Sequence, residues 1–317
     1  MAGAGKTGMR RAPRRVHTPR MSYEELEIRT EDGVALRAVV HEAPEGVPFA
    51  GTCVLAHAMF ARKSEFGSRE SPGLSAAFAA RGWRTIAFDF RGHGDSVLSP
   101  ELADWGYDDL VRFDLPAVVA SARARGEDKP VIVVGHSLGG HVALAAQGTG
   151  TIEADGILSI AGNVWLRELE PSRVHWVAKA LVGRATTRAM KWLDTFPARA
   201  LRLGSDDASN AYIRDLFQGA LRGTWKSTDG RDDYLANLAR ITIPVCSVAT
   251  TTDYLTCRPA CAEALVRRCR GPVEVIVVSK SDDGSRAPSH MGLVTSTHAR
   301  EPLLRAMAWL EANKTRG

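Results

Sequence analysis

The feature that most constrains the fold is a regular alternation of short apolar runs with longer amphipathic segments. Six runs consist mostly of apolar and β-branched residues, which is typical of parallel strands buried on both faces. The segments between them have the length and periodicity of helices. The pattern therefore predicts an α/β fold with a mostly parallel, doubly wound sheet. The six runs are residues 52–56, 84–88, 131–134, 156–160, 245–249 and 273–278.

A hairpin and five main helices complete the predicted core. Residues 23–29 and 34–41 alternate polar and apolar around Glu31-Asp32-Gly33, which is a hairpin signal. With the six runs they predict a sheet of about eight strands that starts with an antiparallel pair. The predicted helices are 75–81, 110–125, 141–147, 258–268 and 302–313.

The interval 163–240 breaks this alternation. It has no clear strand, consists mostly of amphipathic helix, and carries four of the seven tryptophans, among them Trp165. Insertions in α/β proteins usually lie over the carboxyl ends of the strands, where ligands bind. The predicted organisation is a leader at 1–21, a core at 22–162 and 241–317, and a helical lid or cap at 163–240.

The net charge of +5 comes from the leader. Six of the 41 Lys and Arg fall within residues 1–20, which contain no acid, so 35 basic residues face 36 acidic ones in the remainder. This balance argues against a nucleic-acid partner, and the composition of the leader predicts disorder. No apolar run reaches the roughly 18 residues that a spanning helix needs. Gly3–Thr7 is similar to the end of a phosphate-binding loop, but the first Gly of that motif and the strand that precedes it are missing.

The cysteine pattern predicts a reducing, cytoplasmic setting without a metal. Five cysteines are spread through apolar contexts, and an odd number does not form a closed disulfide framework. Cys257, Cys261 and Cys269 cluster, but the second pair of ligands that a zinc site needs is missing. There is also no Gly-x-Gly-x-x-Gly dinucleotide turn, so no cofactor is implied.

The strongest chemical signal is the segment Gly135-His136-Ser137-Leu138-Gly139. It is Gly-x-Ser-x-Gly between an apolar strand and a helical segment, the context in which a sharp turn exposes a nucleophilic serine. Small residues at 135 and 139 let neighbouring backbone approach, and the helix N-terminus favours negative charge beside Ser137.

On this motif the chain resembles the α/β-hydrolase family, over nearly its whole length after residue 22. His57-Ala58-Met59 is similar to the family's His-Gly-x segment, with Ala58 where Gly is usual. The stretch 89–96 looks like its Asp-x-Arg-Gly-x-Gly-x-Ser turn, which places His93 in a loop rather than as a base. The resemblance implies an oxyanion hole formed by the backbone amides of Met59 and Leu138.

In this family the nucleophile comes first along the sequence, then the acid and then the histidine, so the partners of Ser137 are expected after it in that order. Asp253 is the first carboxylate after the strand at 245–249, although Thr250-Thr251-Thr252 stands where a Gly is usual. His290 lies in a segment similar to the family's His-x-Gly. The alternatives are His298 for the base and, for the acid, Asp229, Asp232 and Asp233.

These residues predict a serine hydrolase of the lysophospholipase, esterase or serine-aminopeptidase type. Ser137, His290 and Asp253 would cleave a carboxylic ester, thioester or amide of a small-molecule acyl substrate through an acyl-enzyme. His57, His136 and Trp165 are the candidate substrate-binding residues, and the alternative for the two histidines is that they shape the loops through hydrogen bonds. The alternatives are an acyltransferase that uses the same acyl-enzyme and a non-catalytic ligand-binding homologue. The sequence leaves open whether the protein is a monomer or a homodimer.

Overall fold

The computed structural model describes residues 23–126, 128–280 and 286–314. The predicted leader at 1–21 lies outside them. Eight strands form one sheet in the order β1-β2-β4-β3-β5-β6-β9-β10, in which only the β1–β2 and β2–β4 pairs are antiparallel. This confirms the predicted hairpin and the mostly parallel sheet. The strands are β1 Tyr23–Arg29, β2 Ala35–His41, β3 Gly51–Ala56, β4 Trp83–Phe88, β5 Val131–His136, β6 Gly156–Ile160, β7 Thr195–Phe196, β8 Ala208–Ser209, β9 Val245–Thr250 and β10 Val273–Val278.

The central strands β3, β5, β6 and β9 are buried along their whole length because both faces of the sheet are covered. Along β3, Val54 and Ala56 belong to one hydrophobic cluster, whereas Cys53 and Leu55 belong to the other. The first cluster includes residues of the helices Leu115–Ala124 and Leu138–Thr149, and the second includes residues of the helices Gly73–Ala79 and Arg300–Asn313. Successive side chains of a strand point to opposite faces, and here both faces are buried. The strand therefore lacks the regularly alternating polar residues of a strand with one face in solvent.

The helices follow the predicted order with shifted ends. The predicted helix 110–125 begins earlier, at Tyr107, and a π-helical turn at Leu110–Asp114 joins its two α-helical parts. The helices are α1 Gly73–Ala79, α2 Tyr107–Asp109, α3 Leu115–Ala124, α4 Leu138–Thr149, α5 Arg173–Ala189, α6 Asn210–Arg222, α7 Tyr234–Asn237, α8 Pro259–Val266, α9 Gly292–Thr295 and α10 Arg300–Asn313.

Residues between β6 and β9 form a separate layer of helices with one small ribbon. Helix α5 packs against α6, and serine side chains cap the N-termini of both helices, Ser172 and Ser209. The two-residue strands β7 and β8 pair as an antiparallel ribbon that the sequence did not predict. Two-residue strands are too short to produce a periodic pattern, so the ribbon depends on the surrounding packing.

The turn between β5 and α4 is strained and tightly packed. Ser137 has φ of 50° and ψ of −107°, a backbone conformation that a non-glycine residue rarely adopts. A Cβ on Gly139 would lie 2.1 Å from the carbonyl oxygen of Ala56, and one on Gly135 would lie 2.3 Å from the backbone of Gly139. Both glycines are required because backbone atoms, which cannot rotate away, occupy the space of a side chain.

We expect Gly139→Ala to lower the free energy of unfolding by more than about 4 kcal/mol, because β3 or the turn must move to admit the methyl group. Gly150→Ala is the matched control: Gly150 has φ of 79° but open space around its Cβ position. It should cost only about 1 kcal/mol. Denaturant unfolding measures both variants, and equal losses would contradict the close approach of Gly139 to β3.

Candidate active site

Ser137 stands at the carboxyl edge of the sheet, between β5 and α4. Its amide donates a hydrogen bond to the carbonyl of Ile160 on the neighbouring strand β6 at 2.7 Å. This bond and the close packing of Gly139 hold the strained turn in place. Ser137 lies in the lining of a cavity, at the N-terminus of the 12-residue helix α4. The positive end of that helix favours negative charge beside the hydroxyl.

His290 and Asp253 form a close pair on the loops that follow β10 and β9. Nδ1 of His290 lies 2.5 Å from Oδ2 of Asp253, whose side chain is 3% exposed. A carboxylate at Nδ1 fixes the tautomer in which this nitrogen carries the proton, so Nε2 is left as a proton acceptor. The two residues are 37 positions apart in the sequence, and the parallel pairing of β9 with β10 brings their loops together.

Asp253 is stabilised as a carboxylate. Burial alone would raise its pKa, but the hydrogen bond and charge of His290 and the hydrogen bonds from Thr256 lower the pKa to about 2. The amide and the hydroxyl of Thr256 donate to Oδ1 at 2.9 and 2.6 Å. Asp253 is therefore ionised at neutral pH and can stabilise an imidazolium at His290.

Ser137 and His290 line the same cavity, but no hydrogen bond joins their side chains among the described residues. Catalytic hydrogen bonds are often long without a substrate and shorten when the reacting complex forms. In the described structure His290 is therefore paired with Asp253, and Ser137 lies in the wall of the cavity that His290 also lines.

Two backbone amides next to Ser137 are available as donors. Within residues 23–126, 128–280 and 286–314, neither the amide of Met59 nor that of Leu138 has a hydrogen-bond partner. The loop that carries Met59 is held on either side: the carbonyl of His57 accepts from Gly139 N at 3.2 Å, and the amide of Ala58 donates to Glu65 at 2.9 Å.

The cavity has a volume of about 390 Å³ and lies between the sheet edge and the helices that follow β6. Most of its wall is apolar, and its polar lining residues include Ser137, Thr256 and His290. Trp165, a candidate substrate-binding residue, lines the cavity and also donates from Nε1 to the carbonyl of Thr256 at 3.1 Å. The apolar wall includes Met59, Phe60, Val164, Val182, Phe196, Leu203, Leu216, Phe217 and Met291.

His57 and His136 do not line this cavity, and their contact with substrate stays a prediction. Both rings are fully buried. His57 accepts from the amide of Phe90 at 3.0 Å, and burial, aided by the nearby His93, lowers its pKa to about 3. The ring nitrogens of His136 contact Glu65 at 3.1 Å and the carbonyl of His290 at 3.2 Å. We therefore propose that they hold the loops in place.

The alternative bases and acids have partners elsewhere. His298 is exposed and contacts Ser296, and His93 is buried with a contact to the carbonyl of Arg91. The three alternative carboxylates lie on the polar loop before α7 and pair with basic side chains: Asp229 and Asp232 with Arg112, and Asp233 with Lys226.

A model of the alpha/beta hydrolase family matches residues 53–308, which include both sides of the cavity. The chain belongs to the alpha/beta hydrolase family. In curated proteins, 70 residues are 43% identical to the lysophosphatidylserine lipase ABHD12 of Xenopus tropicalis and 41% identical to that of Gallus gallus. These matches cover 22% of this chain and only 17% of either lipase.

Solved structures share this alpha/beta hydrolase fold along nearly their whole length. The esterase Pf2001 of Pyrococcus furiosus matches with a TM-score of 0.60 and 16% identity, over 99% of this chain and 98% of that chain. The monoacylglycerol lipase of Paleococcus ferrophilus matches with a TM-score of 0.57 and 16% identity, over 92% and 100%. At this identity the similarity establishes the fold alone.

Two supporting residues of this hydrolase were not predicted from the sequence. Glu65 links the loop of Met59 to His136, and Thr256 binds Asp253 through both its amide and its hydroxyl. Thr256 follows Asp253 by three residues, a spacing at which a carboxylate commonly accepts from the backbone, so its signal was available. Glu65 has no such signal because its partners are 7 and 71 positions away.

The described parts of the hydrolase have no arrangement of His, Cys, Asp and Glu that could hold a metal ion. The five cysteines are free thiols, and only Cys269 is partly exposed. None of the described helices is both long enough and apolar enough to cross a membrane.

Proposed function

We propose that the protein is a serine hydrolase that cleaves a carboxylic ester through an acyl-enzyme. The observation that carries the proposal is the pairing of buried Asp253 with His290 at 2.5 Å in a cavity whose wall also holds Ser137. A serine hydroxyl is a weak nucleophile until a base takes its proton, and Nε2 of His290 is the free ring nitrogen for that task.

In the proposed reaction, His290 removes the proton of Ser137 as the hydroxyl oxygen attacks the substrate carbonyl. The amides of Met59 and Leu138 bind the oxyanion of the tetrahedral intermediate. His290 then donates its proton to the leaving alcohol, and the acyl group remains on Ser137. Water, deprotonated by His290, repeats the attack and releases the acid.

The cavity wall favours an apolar acyl group. Aromatic and aliphatic side chains such as Phe60, Leu216 and Phe217 form most of the wall away from Ser137. We propose residues 163–240 as the cap, since its Val182, Phe196 and Phe217 close the cavity opposite the sheet. The names of the relatives, lysophosphatidylserine lipase and monoacylglycerol lipase, also support an ester with a fatty acyl chain. The five free thiols support a cytoplasmic location.

The proposal is tested by labelling with a fluorophosphonate and by hydrolysis of p-nitrophenyl esters with short and long acyl chains. Wild type should label at a single site and His290→Ala should not, and the longer acyl chains should be preferred. An added alcohol distinguishes the acyltransferase, which would form a new ester instead of the free acid. If folded wild type neither labels nor cleaves any ester, the proposed function is wrong, and ligand binding without catalysis replaces it.

A further inference from the structure

The outward face of helix α5 is apolar although no part of the described chain covers it. Val174 is 78% exposed, Val177 55% and Leu181 59%. The opposite face packs inward through buried Ala180 and Gly183. Apolar residues at spacings of three and four form one stripe along a helix, so these side chains share a single outward surface. A monomer in water rarely leaves such a stripe uncovered.

The segment that follows the helix adds further exposed apolar side chains. Trp192 is 86% exposed, and Leu201 and Leu203 are also largely exposed. We call the whole set the cap surface; it consists of Val174, Val177, Leu181, Val182, Trp192, Leu193, Leu201 and Leu203.

Positive charge surrounds the cap surface. Six exposed basic residues but only one exposed acid, Asp194, lie between positions 171 and 205. Only Arg199 has a carboxylate, that of Asp207, within 4.0 Å in the described part of the chain. Arg184 and Arg188 follow Leu181 at spacings of three and seven, which places them beside the stripe. The six residues are Arg173, Arg184, Arg188, Lys191, Arg199 and Arg202.

The cap surface is continuous with the cavity. Val182 and Leu203 belong to both, since each is exposed on the outside and lines the cavity within. Met291, next to His290, is exposed at the same cavity wall. A chain of apolar atoms therefore leads from the outside of the cap to the residues around Ser137.

We propose that the cap surface docks on an anionic lipid surface. Apolar side chains surrounded by Lys and Arg, with an exposed Trp at the edge, match an interface whose headgroups are negative and whose interior is apolar. Docking of this kind would let an amphiphilic ester pass its acyl chain into the cavity without crossing water. The entry of the acyl chain into the cavity rests on the proposed function, whereas the docking does not.

Charge argues against a second copy of the chain as the occupant. A two-fold interface places the same surface on both subunits, so the basic residues of one copy would face those of the other. Like charges held together across an apolar contact oppose association. An anionic bilayer offers the opposite charge and needs no shape complementarity.

The test is co-sedimentation of the full chain with vesicles of phosphatidylcholine containing phosphatidylglycerol, compared with pure phosphatidylcholine. Wild type should bind the anionic vesicles, and binding should weaken as salt screens the charges. Each Lys or Arg near such a surface contributes a factor of about five in affinity, so Arg184→Gln/Arg188→Gln/Lys191→Gln should bind roughly 100-fold more weakly. Leu181→Ser/Trp192→Ser should also lose binding.

Two control variants separate the cap surface from the basic leader and from catalysis. Arg10→Gln/Arg11→Gln/Arg14→Gln/Arg15→Gln removes charge from the leader and should leave vesicle binding largely intact. Ser137→Ala should bind vesicles as wild type does, which separates docking from the proposed chemistry. All cap-surface variants should hydrolyse a short-chain p-nitrophenyl ester normally, which verifies their folding.

Three results would overturn the docking proposal. The first is equal affinity of wild type for neutral and anionic vesicles, or no affinity for either. The second is loss of binding in the leader variant with retention in the cap-surface variants. The third is a stable dimer in sedimentation velocity that Leu181→Ser/Trp192→Ser dissociates, because the cap surface would then be a subunit interface.

Discussion

Ser137→Ala is expected to lower kcat for ester hydrolysis by about 10⁴- to 10⁶-fold and to abolish fluorophosphonate labelling. The substitution removes the only atom that can form the acyl-enzyme in the proposed mechanism, while the cavity and the His290–Asp253 pair stay in place. Steady-state kinetics with a p-nitrophenyl ester and mass spectrometry of the labelled protein measure the two effects.

Ser247→Ala is the matched control for that loss. Ser247 lies in strand β9, fully buried, and its hydroxyl has no hydrogen-bond partner among the described residues. The same chemical change there should leave kcat close to wild type. If folded Ser137→Ala keeps more than a small fraction of the activity, the nucleophile lies elsewhere and the proposed mechanism fails.

Asp253→Asn is expected to lower kcat by about 10⁴-fold, because an amide at this place favours the wrong tautomer of His290 and does not stabilise the imidazolium. Asp232→Asn is the control, since Asp232 was an alternative acid and pairs with Arg112 instead. Its kcat should stay near that of wild type. Greater loss in Asp232→Asn than in Asp253→Asn would reverse the assignment of the acid.

The stability difference between wild type and Asp253→Asn is also expected to depend on pH. The pKa of Asp253 in the folded protein is about 2, below its ordinary value of 3.8. The contacts of the ionised carboxylate with His290 and Thr256 therefore stabilise the fold above about pH 4. This stabilisation weakens as pH falls from about 4 towards 2, where the carboxylate takes up a proton. The stability advantage of wild type over Asp253→Asn should therefore shrink across this range, and a constant difference would contradict the low pKa.

Sheet strands were the most predictable part of the fold. Residues 156–160 and 273–278 coincide with β6 and β10. Strand β6 is buried along its whole length and β10 only in part, and burial favours the apolar residues from which both strands were predicted. Helix ends were less predictable. Helix α4 begins at Leu138, three residues before the predicted start, since the glycines at 139 and 140 weaken the helical pattern although close packing requires them.

The candidate site was also predictable only in part from the sequence. Ser137, Asp253 and His290 lie in local motifs or shortly after strands. In the structure Ser137 and His290 line one cavity, and Asp253 pairs with His290. The sequence left the roles of His57 and His136 open, because position near a motif does not indicate which way a ring points. Both rings turn inward, to the amide of Phe90 and to Glu65.

By itself, the sequence determined the α/β architecture, the strained serine turn and the order of the candidate catalytic residues. Those features depend on local patterns: apolar runs, glycine spacing, and residue types directly after strands. The tertiary structure alone decided the pairing of Asp253 with His290, the support from Glu65, and the apolar stripe left outside on α5. Each of these depends on which distant segments face one another, and the same stripe in the sequence would equally fit a helix buried on both sides.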